Sequence, residues 1–198
     1  MKRMFKVLAV VFCSLVLVGS AQAYNGNTAD IEQQIGVFGA YQNTDDLDEG
    51  YGGGLRYAVF GNMAEPGSAS PLESIDIGGD LRASWLAGYE ADGNDFETDI
   101  YPVQANLLVR PEFKNGLRPY AGGGIGYAWF DEDNGNTNYE LDDEWTYSVL
   151  LGIDQEINEQ FSMFVEGEYM WLQPDIENDS GEADLDGFGV NVGVNYNF

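Results

Sequence analysis

Phe188-Gly189-Val190-Asn191-Val192-Gly193-Val194-Asn195-Tyr196-Asn197-Phe198 closes the chain with a period of two. Phe188, Val190, Val192, Val194, Tyr196 and Phe198 fall on one face, and Gly189, Asn191, Gly193, Asn195 and Asn197 on the other. Such alternation is the mark of an extended strand with unlike surroundings on its two sides. The same pattern recurs upstream. Ile75, Ile77, Gly79, Leu81, Ala83, Trp85, Ala87 and Tyr89 share a face opposite Asp76, Asp80, Arg82 and Ser84. Tyr101, Val103, Ala105, Leu107 and Val109 oppose Gln104, Asn106 and Arg110. Trp145, Tyr147, Val149, Leu151 and Ile153 oppose Thr146, Ser148 and Asp154. Phe161, Met163, Val165, Gly167, Tyr169 and Trp171 oppose Ser162, Glu166 and Glu168. Weaker versions begin at Ile31, Tyr51 and Ala121, giving eight strands in all.

Eight strands of roughly ten residues match the length that a tilted strand needs to cross a bilayer. An even number of antiparallel strands can close, and closure removes the unpaired edge amides that hydrocarbon would penalise. The sequence therefore predicts an all-β fold, an eight-stranded antiparallel up-and-down transmembrane β-barrel. Which face meets lipid decides between this and a soluble, lipocalin-like cup whose apolar face would line a ligand cavity. Three features favour lipid outside. Aromatic residues collect at strand ends: Tyr41, Tyr51, Tyr89, Tyr101, Trp129, Trp145, Trp171, Tyr196 and Phe198. Arg56, Arg82, Arg110 and Arg118 all fall on the polar face. Glycine crowds that face too, as a narrow lumen requires.

The polar face then carries a candidate lumen network: Arg56, Arg82, Arg110 and Arg118 with Asp76, Asp80, Asp154, Glu166 and Glu168. Buried charges need partners, so the expectation is an internal salt-bridge plug. A narrow path for ions or small solutes is the alternative.

The start of the chain reads differently. Met1–Lys6 is basic, Val7–Val18 is apolar and broken only by Ser14, and Ala21-Gln22-Ala23 offers the small-x-small pattern of signal-peptidase cleavage. The expected division is a signal peptide at 1–23 and a barrel domain at 24–198. Cleavage after Ala23 removes Cys13, the single cysteine, together with Lys2, Arg3 and Lys6.

Composition narrows function. The chain holds 8 Lys+Arg, 34 Asp+Glu and no His, for a formal charge of -26. So acidic a chain does not hold a nucleic-acid backbone. Without His it lacks the usual Ser-His-Asp set and the commonest metal ligand. Glu166 and Glu168 lie two apart on one face, but no cleft marks them as a glycosidase pair. Gly52-Gly53-Gly54 and Gly122-Gly123-Gly124 lack the Lys-Ser/Thr of a phosphate loop and read as points of curvature. No catalytic, cofactor or metal residue is assigned, and the protein is expected to be non-enzymatic.

Charge is also lopsided. The odd connections, Gln42–Gly50, Glu90–Asp99, Asp131–Glu144 and Gln173–Asp186, carry 22 of the 34 acids. The even ones, Gly61–Glu73, Pro111–Gly116 and Asn158–Gln160, are nearly neutral. In an up-and-down barrel this makes one rim acidic, assigned to the outer surface, where divalent cations are possible partners. Asp131-Glu132-Asp133 and Asn136 supply hard oxygen ligands but not the full calcium-loop order.

The cleavage pattern, the segment Arg118-Pro119-Tyr120-Ala121-Gly122-Gly123-Gly124-Ile125-Gly126-Tyr127 and the closing strand resemble the small eight-stranded outer-membrane β-barrel proteins of Gram-negative envelopes. That class includes OmpA-like, OmpX-like and OmpW-like proteins, often called the porin family. The resemblance covers residues 24 to 198. It implies a location in the outer membrane and contact with outer-membrane lipids. It also implies an assembly signal at Val194, Tyr196 and Phe198, read by the barrel-assembly machinery, and roles ranging from surface interaction to solute passage. A monomer is expected.

Overall fold

The computed structural model describes residues 31–44, 49–64, 69–90, 96–134, 143–174 and 185–198. The expected signal peptide, with Ala21 and Ala23, lies outside them, as does Asn136 of the calcium-like spacing.

Eight strands follow one another in the chain: β1 (Ile31–Thr44), β2 (Gly50–Ala64), β3 (Leu72–Glu90), β4 (Phe96–Phe113), β5 (Leu117–Asn134), β6 (Glu144–Asn158), β7 (Phe161–Trp171) and β8 (Gly187–Asn197). Each pairs antiparallel with its sequence neighbour, and β8 returns to β1 to close the cylinder. The closing seam runs from Gln34↔Asn197 to Thr44↔Gly187, so no edge is left where a backbone amide would lack a partner. The chain enters β1 and leaves β8 at the end that carries the tight turns, here the turn end; the opposite end is the loop end.

The strands are longer than the ten residues expected, from 11 in β7 and β8 to 19 in β3. The surplus comes from segments the pattern assigned to connections. β2 runs on to Ala64 and β3 starts at Leu72, which shortens the connection expected at Gly61–Glu73. At the loop end the β4–β5 ladder continues to Phe96↔Asn134, taking Asp99, Asp131 and their acidic neighbours into strand. Alternation of apolar residues stops where lipid stops, but backbone pairing does not need it.

The apolar face points outward. Trp85, Leu107, Val149 and Val192 are all exposed, with Leu107 at 76% and Leu151 at 68%. This overturns the lipocalin-like arrangement, in which these side chains would share an interior. Rings pair along the outer face near both ends: Tyr41 with Tyr51 at 5.2 Å, Tyr127 with Trp145 at 5.4 Å, and Phe161 with Tyr196 at 5.4 Å between centroids. Tyr89 departs from its expected place on this face. The β3–β4 register slips by one residue between Leu86 and Tyr89, and Gly88 takes a positive φ of 87°. The extra residue is a bulge that reverses the side-chain phase, so Tyr89 turns inward and is fully buried.

Candidate functional site: a layered, charge-plugged lumen

Inside the barrel, polar and apolar layers alternate along the axis. The layer nearest the turn end centres on two arginines. Arg110 donates to Glu32 at 2.6 Å and to Asp76 at 3.0 Å, and its guanidinium lies 3.7 Å from the ring centroid of Phe60. Arg118 donates from its three nitrogens to Glu32 at 3.1 Å, Glu112 at 2.8 Å and Glu156 at 2.9 Å. Glu32 on β1 therefore spans the lumen to reach β4 and β5 together. Glu32, Glu112 and Glu156 were absent from the predicted network. The last two were masked by their place beside turns, whereas Glu32 occupies the inward phase set by Gln34 and Gly36. Asp154 is buried and accepts from Ser162 Oγ and Asn195 Nδ2, each at 2.8 Å, and it makes no salt bridge among the described residues. Register places it beside Arg118; the arginine reaches past it to the glutamates.

Above this lies an apolar layer of Ala58, Phe60, Leu108, Tyr120 and Leu150. Residues that break strict alternation supply it, such as Phe60 after Val59 and Leu108 after Leu107. Each bulky member faces a glycine on the neighbouring strand. Phe60 is in register with Gly78, Leu108 with Gly122, and Tyr120 with Gly152. Phe164 meets Gly193 in the same way. A Cβ on Gly152 would collide with the Tyr120 ring. The lumen is too narrow for two large side chains at one level, so size must alternate between strands.

The second ionic layer sits deeper. Arg56 and Arg82 are direct cross-strand partners on β2 and β3, a like-charge pairing that costs energy unless an anion lies between them. Asp80 is that anion: its Oδ2 is 2.8 Å from Arg56 Nε and 2.5 Å from Arg82 Nη2. Arg82 also crosses the lumen to Glu166 on β7 at 2.5 Å, with Glu168 at 3.8 Å. Asn106 donates to Asp80 at 2.8 Å, Asn191 to Glu166 at 3.0 Å, Tyr120 to Glu166 at 3.0 Å and Gln104 to Glu168 at 2.7 Å. The Arg56 guanidinium is flanked by the rings of Tyr120 and Phe164 at 5.2 and 5.1 Å. Arg56, Arg82, Asp80 and Glu166 are each at least 97% buried by side chain or residue.

A final apolar cluster fills the loop end: Leu86, Tyr89, Ile100, Ala128, Phe130, Met170, Leu172 and Leu185. Between it and the second ionic layer remains a void of about 10 Å³, room for one water. Charges hydrogen-bonded across the lumen and side chains packed between them plug it. Among the described residues, no group of three or more His, Cys, Asp or Glu is placed to hold a metal. Val194 and Tyr196 lie on the outer face of β8 and Phe198 directly follows it, all three exposed, and the Phe198 amide donates to Gln33 O at 3.0 Å.

This closed, lipid-facing cylinder defines an outer-membrane barrel, and comparison with known proteins agrees. The family model described as "Outer membrane protein beta-barrel domain" matches residues 9–198, and the chain belongs to that family. Neisserial surface protein A superposes with a TM-score of 0.60 at 12% identity, over 85% of this chain and 97% of that one. The outer-membrane protein OprG from Pseudomonas aeruginosa gives 0.57 at 17% identity, over 87% and 98%. Ail, the attachment invasion locus protein of Yersinia pestis, gives 0.54 at 12% identity, over 85% and 97%, in a structure with the heparin analogue sucrose octasulfate. These identities establish a shared fold. No curated protein matches the sequence. The protein resides in the outer membrane of the Gram-negative type, with membrane lipid around its apolar face.

Proposed function

We propose that the protein is a non-enzymatic structural and surface-interaction barrel whose sealed cylinder holds an acidic rim at the cell surface. The observation that carries this reading is the trans-lumen bonding of Arg82 to Glu166 and of Arg110 and Arg118 to Glu32. A solute path would have to break both sets. Cleavage after Ala23 delivers the chain to the envelope. The outward side chains of Val194, Tyr196 and Phe198 then serve as the signal for the barrel-assembly machinery. The barrel works as a monomer, since closure leaves no strand edge for a second copy. Its loop-end acids attract divalent cations diffusely, through the field of many carboxylates.

Planar-bilayer recording of the purified barrel tests the reading. Silence above lipid leak is expected, and resolved single-channel steps would replace it with the solute-passage alternative. Mass spectrometry of the mature protein checks the leader, with Tyr24 expected as the first residue.

A further inference from the structure

Asn115 and Gly116 form the tip of the turn between β4 and β5. Asn115 is exposed, and a bond from the Gly116 amide nitrogen to its carboxamide carbon would close a succinimide ring. Gly116 has no side chain to obstruct that approach. In the folded turn, three hydrogen bonds oppose it. The Gly116 amide donates to Phe113 O at 2.9 Å, the Glu156 amide donates to Gly116 O at 3.1 Å, and Asn115 Oδ1 accepts from the Leu117 amide at 3.2 Å. The first occupies the nitrogen that would attack. The second fixes the peptide beyond it, and the third holds the carboxamide forward toward Leu117. Gly116 also takes a positive φ of 76°, the left-handed geometry that closes this hairpin. Ring closure rotates the Asn115 Cα–C bond and gives up these contacts together.

We infer that Asn115 is a self-modification site, shut by the folded turn and open in a chain that has not yet closed into a barrel. In that chain the Gly116 nitrogen bonds to Asn115 Cγ, and its proton leaves with the carboxamide nitrogen as ammonia. One water then opens the succinimide at either carbonyl, giving aspartate or isoaspartate. Isoaspartate has the larger consequence. It routes the backbone through the side chain and lengthens the turn by a methylene, so the Gly116 amide no longer falls opposite Phe113 O. The hairpin that this turn closes carries Arg110 on β4 and Arg118 on β5, both bound to Glu32. A chain delayed before assembly therefore ages into one that registers its turn-end clamp poorly. The turn is a chemical clock that runs only until the hairpin forms.

The test incubates the purified barrel, folded in detergent micelles, beside the same chain in urea, both in mildly alkaline buffer. Peptide mapping by mass spectrometry reads conversion at Asn115. Conversion in micelles is expected to be at least about tenfold slower than in urea, the worth of two ordinary hydrogen bonds. The urea-aged chain is then refolded beside an equally aged Asn115→Ser variant, whose hydroxyl can still accept from the Leu117 amide but cannot form the imide. The other Asn-Gly pairs, at 25–26 and 134–135, are present in both chains, so a difference in refolding belongs to Asn115. The aged wild type should refold to a lower fraction, in proportion to its isoaspartate content. Isoaspartyl methyltransferase with S-adenosylmethionine should restore it. Equal conversion in micelles and in urea overturns the closed turn. Equal refolding of the two aged chains overturns the clock, even where isoaspartate has formed. The comparison of micelles with urea needs no variant, so it decides the first point whether or not Asn115→Ser folds.

Discussion

The two ionic layers of the lumen share a chemistry and differ in surroundings. Near the turn end, Arg118 is held by three glutamates whose side chains retain 17–31% of their exposure. Deeper in, Asp80 and Glu166 have none, and Arg56 and Arg82 retain 2%. Water screens the first set and can rescue a member that loses its partner. In the second, every charge depends on its neighbours, because desolvation has already been suffered and only pairing offsets it. One barrel therefore contains a part-hydrated clamp around Arg118 and a dry lattice around Asp80, and mutation should separate them.

The largest effect is expected at Asp80. It alone separates Arg56 from Arg82, so Asp80→Asn leaves two cations facing each other in register. A loss of about 3–5 kcal/mol is expected for breaking a buried pair, measured by urea unfolding of the barrel in lipid vesicles. A loss below that of any turn-end variant would show that the dry lattice is not the stronger plug. Replacing Arg82 and Glu166 together by Met and Leu should cost much less than either alone, because hydrophobic replacement of a whole buried pair is often nearly neutral.

Next comes the outer face, which sharpens the contrast by removing pairing altogether. Leu107 is 76% exposed and lies in register between Gly79 and Gly123. Leu107→Arg places a charge in lipid with no acid beside it, at an expected cost of about 2–4 kcal/mol near the midplane. Arg110 lies only three residues away on the same strand, paired inside. The same residue type is thus stabilising or destabilising according to phase alone.

The apolar layer between the two ionic ones follows. Gly152→Ala sets a methyl group against the Tyr120 ring, with about 1–3 kcal/mol of overpacking expected. Tyr120 also donates to Glu166, so displacement of the ring reaches the dry lattice. A Gly152→Ala, Tyr120→Leu double variant should recover the packing loss but not the hydrogen bond. Full additivity of the two changes would refute the ring-on-glycine account.

These layers were unequally legible in the sequence. Period-two alternation placed all four arginines and Asp76, Asp80, Glu166 and Glu168 in the lumen, because phase is fixed by any outward apolar neighbour. It could not choose partners, which depend on the stagger between strands and on reach across the barrel; hence Asp154 was grouped with arginines that bypass it. Phe60, Leu108, Tyr120 and Phe164 were hidden because an apolar residue inside a polar face looks like noise. The signal lay in the glycines opposite them, readable only once hairpin register was known. Tyr89 was lost to a single inserted residue at Gly88, which no alternation count can detect without its partner strand.

The smallest expected effect is at Glu156, and it closes the comparison. Its side chain is 31% exposed and accepts one bond from Arg118, which keeps Glu32 and Glu112 as alternatives. Glu156→Gln should therefore cost no more than about 1 kcal/mol, as for a solvent-screened pair. Raising NaCl to about 1 M, where the screening length falls to roughly 3 Å, should shrink even that difference. The same salt should leave the Asp80→Asn penalty almost unchanged, because Asp80 and Glu166 have no exposed side-chain surface for bulk ions to screen. Equal salt sensitivity at the two sites would mean that both layers are wet, and the division into clamp and dry lattice would fail.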